Sequence, residues 1–199
     1  TATALPSGPK ASWGAASGQA AAPAQTAWVQ AVDGGGFEAR LMTGAATCPV
    51  MHTDRGDVAM TVRAAADDKF PLLCAAKLAP GTSRADIAGK PLPVPAADPQ
   101  RILVIGDTGC RLQGGTTQDC NTPEQWPFPQ LAAAAARLRP DLVIHVGDYL
   151  YRETPCPPGD AGCAGSPYGD NGPAWQADFF APAEPLLEAA PIVAARGNH

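Results

Sequence analysis

Three short apolar runs in the second half of the chain constrain its fold most strongly. They lie at residues 102–105, 142–146 and 192–195, and helical patterns separate them. Short apolar runs that alternate with helical stretches are typical of parallel strands buried on both faces of an α/β sheet. We therefore expect residues 101–199 to contain a βαβ unit and a third parallel strand.

The helical patterns between these runs predict the elements that cover the sheet. Residues 129–139 predict a helix with Leu131, Ala135 and Leu138 on one face, because these residues recur at helical spacing. Residues 173–190 predict one or two short helices that dock apolar side chains on the sheet.

The first half of the chain shows a different periodicity. Residues 37–42 and 58–63 alternate between apolar and polar positions after turn-forming Asp and Gly residues, which is typical of half-buried antiparallel strands. Residues 28–88 therefore predict a small all-β, sandwich-like domain. Four prolines at residues 91, 93, 95 and 99 predict a stiff linker over residues 89–100, where we expect the domain boundary.

Residues 1–27 are rich in Ala, Gly, Ser and Pro, which predicts a flexible tail that remains after export. The expected fold class is thus an incomplete α/β domain over residues 101–199, preceded by a small all-β domain.

The chain has six cysteines, at positions 48, 74, 110, 120, 156 and 163. We interpret them as three disulfides, and we assign the pairs Cys48–Cys74, Cys110–Cys120 and Cys156–Cys163. The alternative, free thiols or metal ligands, fits less well because the loops are polar and no Cys-x-x-Cys pair occurs. Disulfides predict an oxidising compartment, such as a bacterial periplasm or the cell exterior.

The charge of the chain argues against nucleic acid as a partner, and its hydropathy argues against a membrane-spanning segment. The net charge is −5 and the charges are scattered along the chain, which argues against a nucleic-acid partner. No apolar run approaches the roughly 18 residues that span a membrane. A site that handles phosphate in an acidic chain needs local positive charge, and metal ions are its natural source.

Each apolar run leads into a glycine and a polar side chain. The three groups are Gly106-Asp107, Gly147-Asp148 and Gly197-Asn198-His199. Because ligands of open α/β sheets bind at the carboxyl ends of the strands, these groups are expected to converge on one crevice. Carboxylate and amide oxygens suit hard cations, and one carboxylate can bridge two metals about 3.5–4 Å apart.

These groups, read with their neighbours, resemble consecutive motifs of the calcineurin-like metallophosphoesterases. The matching segments are Gly106-Asp107-Thr108-Gly109, Gly147-Asp148-Tyr149-Leu150-Tyr151 and Gly197-Asn198-His199. Tyr151, three positions after Asp148, makes the chain most similar to the purple acid phosphatases. Gly109 agrees with this subgroup, because many other members carry a histidine ligand at that place.

The resemblance implies a role for each residue of the motifs. Asp107 and Tyr151 would bind an Fe(III) ion, Asp148 would bridge two metals, and Asn198 would bind the second metal, which would be a divalent Fe, Zn or Mn. His199 would be the catalytic residue, which contacts the phosphate or protonates the leaving group. The implied substrate is a small phosphomonoester, hydrolysed by a binuclear metal centre.

Two further motifs of the resembled family, Val-x-x-His and Gly-His-x-His, do not occur in these residues. We therefore expect an N-terminal part of a longer catalytic domain, inactive alone, whose partner is the remaining C-terminal half of the same domain. Two alternatives stay open: a metallophosphodiesterase or nucleotide-cleaving relative, and a non-catalytic surface binding protein with a degenerate phosphoesterase fold.

Several other residues have a structural interpretation. His145 and Asp148 are three positions apart and would point to opposite faces of an extended strand, so His145 is expected to be a buried, hydrogen-bonded histidine rather than a ligand. His52 has no cluster of metal ligands near it in the sequence and is expected to be structural or exposed. Tyr149 is expected to be a packing residue or a residue at the rim of the site.

Residues 151–173 are rich in Gly and Pro and predict a long loop beside the site. One hypothesis is that this loop forms part of the substrate entrance, with Arg152, Tyr168 and Trp175 as contacts. The alternative is an irregular surface loop held by one disulfide.

Overall fold

The computed structural model describes residues 25–199. Its strands are β1 (Thr26–Ala31), β2 (Phe37–Thr43), β3 (Val50–Thr53), β4 (Val58–Ala59), β5 (Thr61–Ala64), β6 (Leu72–Lys77), β7 (Ala85–Ile87), β8 (Lys90–Leu92), β9 (Ile102–Ile105), β10 (Leu112–Gln113), β11 (Thr116–Thr117), β12 (Leu142–His145) and β13 (Ile192–Ala194). Its helices are α1 (Phe128–Arg137), α2 (Gly172–Trp175), a π-helical segment (Gln176–Phe180) and α3 (Ala181–Ala189). Residues 1–24 of the predicted tail lie outside the described residues, and its last residues, 26 and 27, already belong to β1.

A mixed seven-stranded sheet, in the order β5-β6-β2-β1-β13-β12-β9, organises the molecule. Strands β1, β13, β12 and β9 run parallel to one another, and β2, β6 and β5 continue the sheet in antiparallel pairs. The parallel strands over residues 101–199 thus lie where the apolar runs predict them.

The large sheet also crosses the predicted domain boundary, which is a difference from the prediction. β1 pairs directly with β13, and β8 lies inside the predicted linker. Pairing of β1 with β13 satisfies the backbone groups of two strands that would otherwise be exposed edges. Residues 28–88 therefore do not form a sheet system separate from residues 101–199.

A smaller sheet, in the order β4-β3-β7-β8, faces the N-terminal strands of the large sheet. Val29, Leu41, Met51 and Ile87 are buried in one core that forms between the two sheets. The disulfide Cys48–Cys74 packs against this core. All three disulfides, including Cys110–Cys120 and Cys156–Cys163, form as predicted. The predicted strand over residues 58–63 is instead divided at residue 60, where the chain passes from the smaller sheet into the larger one.

The helices cover the opposite face of the large sheet. Val143 and Ile192 of the sheet share a buried core with Phe179, Leu186 and Leu187 of the helical region. The helices within residues 173–190 thus dock apolar side chains on the sheet, as expected.

The buried side of α1 differs from the prediction. Phe128 and Ala132 are buried, whereas Leu131 and Leu138 are 61% and 64% exposed. The Phe128 ring stacks on Phe179 at 6.3 Å, so the helix turns this stripe, rather than the leucine stripe, towards the sheet.

The prediction that the parallel strands are buried on both faces is wrong for β9. Ile102 and Val104 are 51% and 60% exposed, and Val146, just after β12, is 54% exposed. β9 lies at the edge of the sheet, and the smaller sheet faces only the N-terminal strands. Among residues 25–199, no helix combines the length and apolar character that a membrane crossing requires.

Candidate metal centre

The loops after β9 and β12 bring Asp107 and Asp148 side by side. The backbone N–H of Asp107 donates to the carbonyl oxygen of Gly147, and that of Thr108 donates to the carbonyl oxygen of Asp148, both at 3.1 Å. Asp107 and Asp148 have φ angles of 53° and 62°, which few residues other than glycine adopt. Such conformations persist where the surrounding structure imposes them, and they cluster at functional sites.

The hydroxyl of Tyr151 joins the two carboxylates. Its oxygen lies 2.8 Å from Asp107 Oδ1 and 3.0 Å from Asp148 Oδ2, so its single proton is shared between two acceptors. Burial, followed by these hydrogen bonds, raises the pKa of Tyr151 well above its usual value. Tyr151 and Asp148 are buried while Asp107 is exposed, so the three oxygens form a cluster that opens to one side.

The loop after β13 completes the surroundings of Asp148. Asp148 Oδ1 accepts hydrogen bonds from the backbone N–H groups of His199 at 3.1 Å and Asn198 at 2.8 Å. The bond from His199, with those from Tyr151 and Asn198, lowers the pKa of Asp148 and favours its ionised form.

Glycine is required at two places in this arrangement. A Cβ on Gly197 would overlap the carboxylate and the backbone nitrogen of Asp148, so only glycine lets the third loop wrap around this side chain. Gly147 has a φ of 116°, and a Cβ there would lie 2.5 Å from the Cα of Gly197.

His199 stands beside the oxygen cluster and is oriented by Glu153. Its Nδ1 lies 2.7 Å from Glu153 Oε1, and its ring centroid is 4.6 Å from that of Tyr151. Glu153 is itself held by Gln113, whose Nε2 donates to Oε2 at 2.8 Å. Glu153 belongs to none of the predicted site motifs, although its position two residues after Tyr151 on an extended segment places both on one side.

The predicted site residues are thus adjacent, but some contact one another through side chains and others through backbone groups. Asp107, Asp148 and Tyr151 meet through side-chain oxygens. The contact of Asn198 with Asp148 comes from its backbone N–H, and the same holds for His199.

The structural interpretation of His145 is confirmed. It is fully buried, its Nε2 lies 2.9 Å from Thr108 Oγ1, and its Nδ1 accepts the backbone N–H of Gly147 at 3.2 Å. Burial lowers the pKa of His145 to about 4. Tyr149 is buried and stacks on His145 at 3.9 Å, and His52 is exposed and bonded to Asp57, as expected.

The loop over residues 151–173 differs from the entrance hypothesis at Arg152. Arg152 is only 4% exposed, and its Nε donates to Asp178 Oδ1 at 2.8 Å, so it does not face an incoming substrate. Trp175 and His199 line a common cleft of about 610 Å³. Tyr168 is 49% exposed.

The oxygen cluster fits a hard cation by its dimensions. Neighbouring ligand oxygens of an octahedral ion with bonds of about 2.0–2.1 Å lie about 2.9 Å apart. The hydroxyl of Tyr151 lies 2.8 Å and 3.0 Å from the two carboxylates, which matches that spacing. Within residues 25–199 no group of three or more His, Cys, Asp and Glu side chains is close enough to hold a metal. The oxygen cluster instead combines two carboxylates with one phenol.

Comparison with known protein families agrees with this geometry. A family model described as calcineurin-like phosphoesterase matches residues 100–199, which include every residue of the oxygen cluster. The chain belongs to the calcineurin-like phosphoesterases. These are metal-dependent hydrolases of phosphoester bonds that use binuclear metal centres. A search of curated proteins found no match to the chain.

Proposed function

We propose that this protein is a metallophosphatase of the purple acid phosphatase type, which hydrolyses phosphomonoesters with an Fe(III) ion and a divalent Fe, Zn or Mn ion. The observation that carries the proposal is the position of the Tyr151 hydroxyl, within hydrogen-bond distance of both Asp107 and Asp148. A phenolate is a hard anionic oxygen, which suits a trivalent ion.

In this proposal Asp107 and Tyr151 hold Fe(III), Asp148 bridges the two ions, and Asn198 holds the divalent ion. When bound, the cations would polarise the phosphoryl oxygens and lower the pKa of a water molecule, which would supply the nucleophile at neutral or acidic pH. The two backbone N–H groups on Asp148 Oδ1 support the ionised carboxylate that a bridging role requires.

His199 is the proposed proton donor to the leaving-group oxygen. Glu153 binds its Nδ1, so the opposite nitrogen, Nε2, is directed away from Glu153 and is available to hold a proton for the substrate. Positioning of this kind is what general acid catalysis requires of an imidazole.

The proposal also includes histidine ligands of the Val-x-x-His and Gly-His-x-His motifs, which residues 1–199 do not contain. Experiments on activity therefore require the full-length protein. The three disulfides indicate an extracellular or otherwise oxidising compartment, and we propose export to the periplasm or the cell exterior.

The test uses full-length protein loaded with Fe(III) and Zn(II). We expect a visible absorption band from a tyrosinate–iron transition, and we expect the Tyr151→Phe variant to lose it. Tyr168→Phe is the matched control, because Tyr168 is 49% exposed and lines a cleft that contains no residue of the oxygen cluster. We expect this control to keep the wild-type band.

Activity on p-nitrophenyl phosphate and on bis-p-nitrophenyl phosphate then separates the candidate functions. Preferential hydrolysis of the monoester supports the proposal. Preference for the diester indicates a metallophosphodiesterase, and hydrolysis of neither ester indicates a binding protein. Two results together would contradict the proposal that the Tyr151 phenolate binds Fe(III). They are a metal-loaded protein without colour and a Tyr151→Phe variant with unchanged iron content.

A further inference from the structure

The π-helical segment carries a buried carboxylate, Asp178, that the metal-binding motifs do not include. Its side chain has no exposed surface and accepts three hydrogen bonds. Oδ1 accepts from the backbone N–H of Cys110 and from Arg152 Nε, both at 2.8 Å, and Oδ2 accepts from the backbone N–H of Tyr151 at 2.7 Å. Each donor belongs to a loop that follows β9 or β12.

This carboxylate therefore ties two motif loops to one point. Cys110 lies in the loop that presents Asp107, and Tyr151 is itself part of the oxygen cluster. Gly109 permits the close approach, because a Cβ there would lie 2.7 Å from Asp178 Oδ2 and 2.8 Å from the Tyr151 nitrogen. The hydrogen bonds to Asp178 thus hold the two loops at a fixed distance from each other.

A second connection runs through Arg152. Its guanidinium lies 5.1 Å from the ring centroid of Trp126, whose Nε1 donates to the carbonyl oxygen of Thr108 at 2.9 Å. Thr108 directly follows Asp107. Asp178 thus reaches the first loop both directly, through Cys110, and indirectly, through Arg152 and Trp126.

We propose that Asp178 is a positioning residue of the metal centre, which holds the Tyr151 backbone so that the hydroxyl stands between Asp107 and Asp148. This inference rests on the metal-binding role proposed for Tyr151.

Two general observations favour positioning over simple stabilisation. Buried ion pairs are weak contributors to stability compared with well-packed apolar side chains, so a buried Asp178–Arg152 pair calls for another reason. π-helical turns are rare and are found frequently at functional sites, and here the segment Gln176–Phe180 presents Asp178.

Asp178→Asn tests the inference with the smallest change in shape. An amide has one acceptor oxygen, so its NH₂ group would replace an oxygen that faces a backbone N–H donor. We expect iron affinity of the full-length protein to fall by about 10-fold to 100-fold, which is typical when a residue that orients a metal ligand is changed. We also expect the tyrosinate–iron band to shift relative to wild type.

Glu184→Gln is the matched control. Glu184 lies on α3, six residues after Asp178, and it forms an exposed salt bridge with Lys90. The same carboxylate-to-amide change there is expected to leave iron affinity and the band unchanged.

A second variant separates positioning from folding. Asp178→Asn alone leaves the Arg152 guanidinium buried without its carboxylate, so we include the double variant Asp178→Asn/Arg152→Gln, which removes both charges. We expect the double variant to unfold at a higher urea concentration than Asp178→Asn while keeping the weak iron binding. Wild-type iron affinity and an unshifted band in either folded variant would overturn the inference.

A metal-free measurement keeps this inference distinct from the proposed function. If wild-type protein binds no iron, the proposed function fails, and the crystal structure of the metal-free double variant still decides about Asp178. A Tyr151 hydroxyl displaced from the Asp107 and Asp148 carboxylates supports positioning. A hydroxyl that remains within hydrogen-bond distance of both carboxylates contradicts it.

Discussion

The buried imidazole of His145 predicts a specific loss of stability in mild acid. Its Nδ1 accepts the backbone N–H of Gly147, and Nε2 lies 2.9 Å from Thr108 Oγ1, which defines a neutral ring protonated at Nε2. A proton on Nδ1 would face the Gly147 N–H, and the charged ring would be desolvated. Burial is the largest cause of the lowered pKa, and the nearby carboxylates of Asp107 and Asp148 only partly oppose it.

The size of the effect follows from the difference in pKa between the folded and unfolded states. The pKa of His145 falls from an ordinary 6.5 to about 4. At 1.36 kcal/mol for each pKa unit, this difference of about 2.5 corresponds to about 3 kcal/mol. The unfolded chain takes up the proton near its ordinary pKa while the folded protein does so only near pH 4. The stabilisation is therefore complete above pH 6.5 and is lost as the pH falls towards 4.

Urea unfolding of the full-length protein at pH 7, 6, 5 and 4 measures this loss, with His145→Gln as the comparison. We expect the wild-type free energy of unfolding to fall more steeply between pH 6.5 and 4 than that of the variant. Histidine ring resonances give an internal contrast, because a hydrogen bond to Asp57 raises the pKa of exposed His52. Titration of His145 near 6.5 or above, or equal pH slopes in the two proteins, would refute the reasoning.

Three further predictions concern the Cys48–Cys74 disulfide, the glycine beside the Asp148 carboxylate and the contact between Glu153 and His199. Replacing Cys48 and Cys74 by serine removes a cross-link of sequence separation 26, and urea unfolding is expected to show a loss of about 3–4 kcal/mol from loop entropy; an unchanged midpoint would contradict this. Gly197→Ala introduces a Cβ that overlaps that carboxylate, so iron titration should show binding weaker by about tenfold or more, and wild-type affinity would refute the steric account. Glu153→Gln weakens the contact that orients His199, so steady-state kinetics should show kcat lower by about tenfold with KM unchanged; a change in KM alone would assign Glu153 to substrate binding.

The features that the sequence predicts well depend on short stretches of chain. The pairs Cys110–Cys120 and Cys156–Cys163 join near neighbours, and both form. Gly106-Asp107 and Gly147-Asp148 follow adjacent parallel strands, so the topology of an α/β sheet brings them together. These inferences require only the local pattern and one general rule of sheet geometry.

The features that the sequence does not predict depend on pairings between distant segments. β1 pairs with β13 although more than half of the chain lies between them. The residues of neither strand indicate which strand it pairs with. The buried stripe of α1 is likewise chosen by the stacking of Phe128 on Phe179, which helical periodicity alone does not distinguish from the leucine stripe. Tertiary packing overrides the local pattern in both cases.

Asp178 and Arg152 show the same limit at the site. In sequence they are a carboxylate within an apolar helical stretch and a cation in a polar loop, so each is expected to face solvent. The structure buries both because they pair with each other, and Asp178 also accepts hydrogen bonds from the backbone N–H groups of Cys110 and Tyr151. A partner 26 residues away along the chain leaves no signal in a single sequence.

Anomalous diffraction from crystals of the full-length protein grown with iron is the most direct test of the central claim, which is that three side-chain oxygens from the loops after β9 and β12 hold one hard cation. The account predicts an iron peak within about 2.0–2.2 Å of oxygens from Asp107, Asp148 and Tyr151, distances typical of hard oxygen ligands. An iron peak elsewhere, or a peak beyond bonding distance of the Tyr151 hydroxyl, would contradict it.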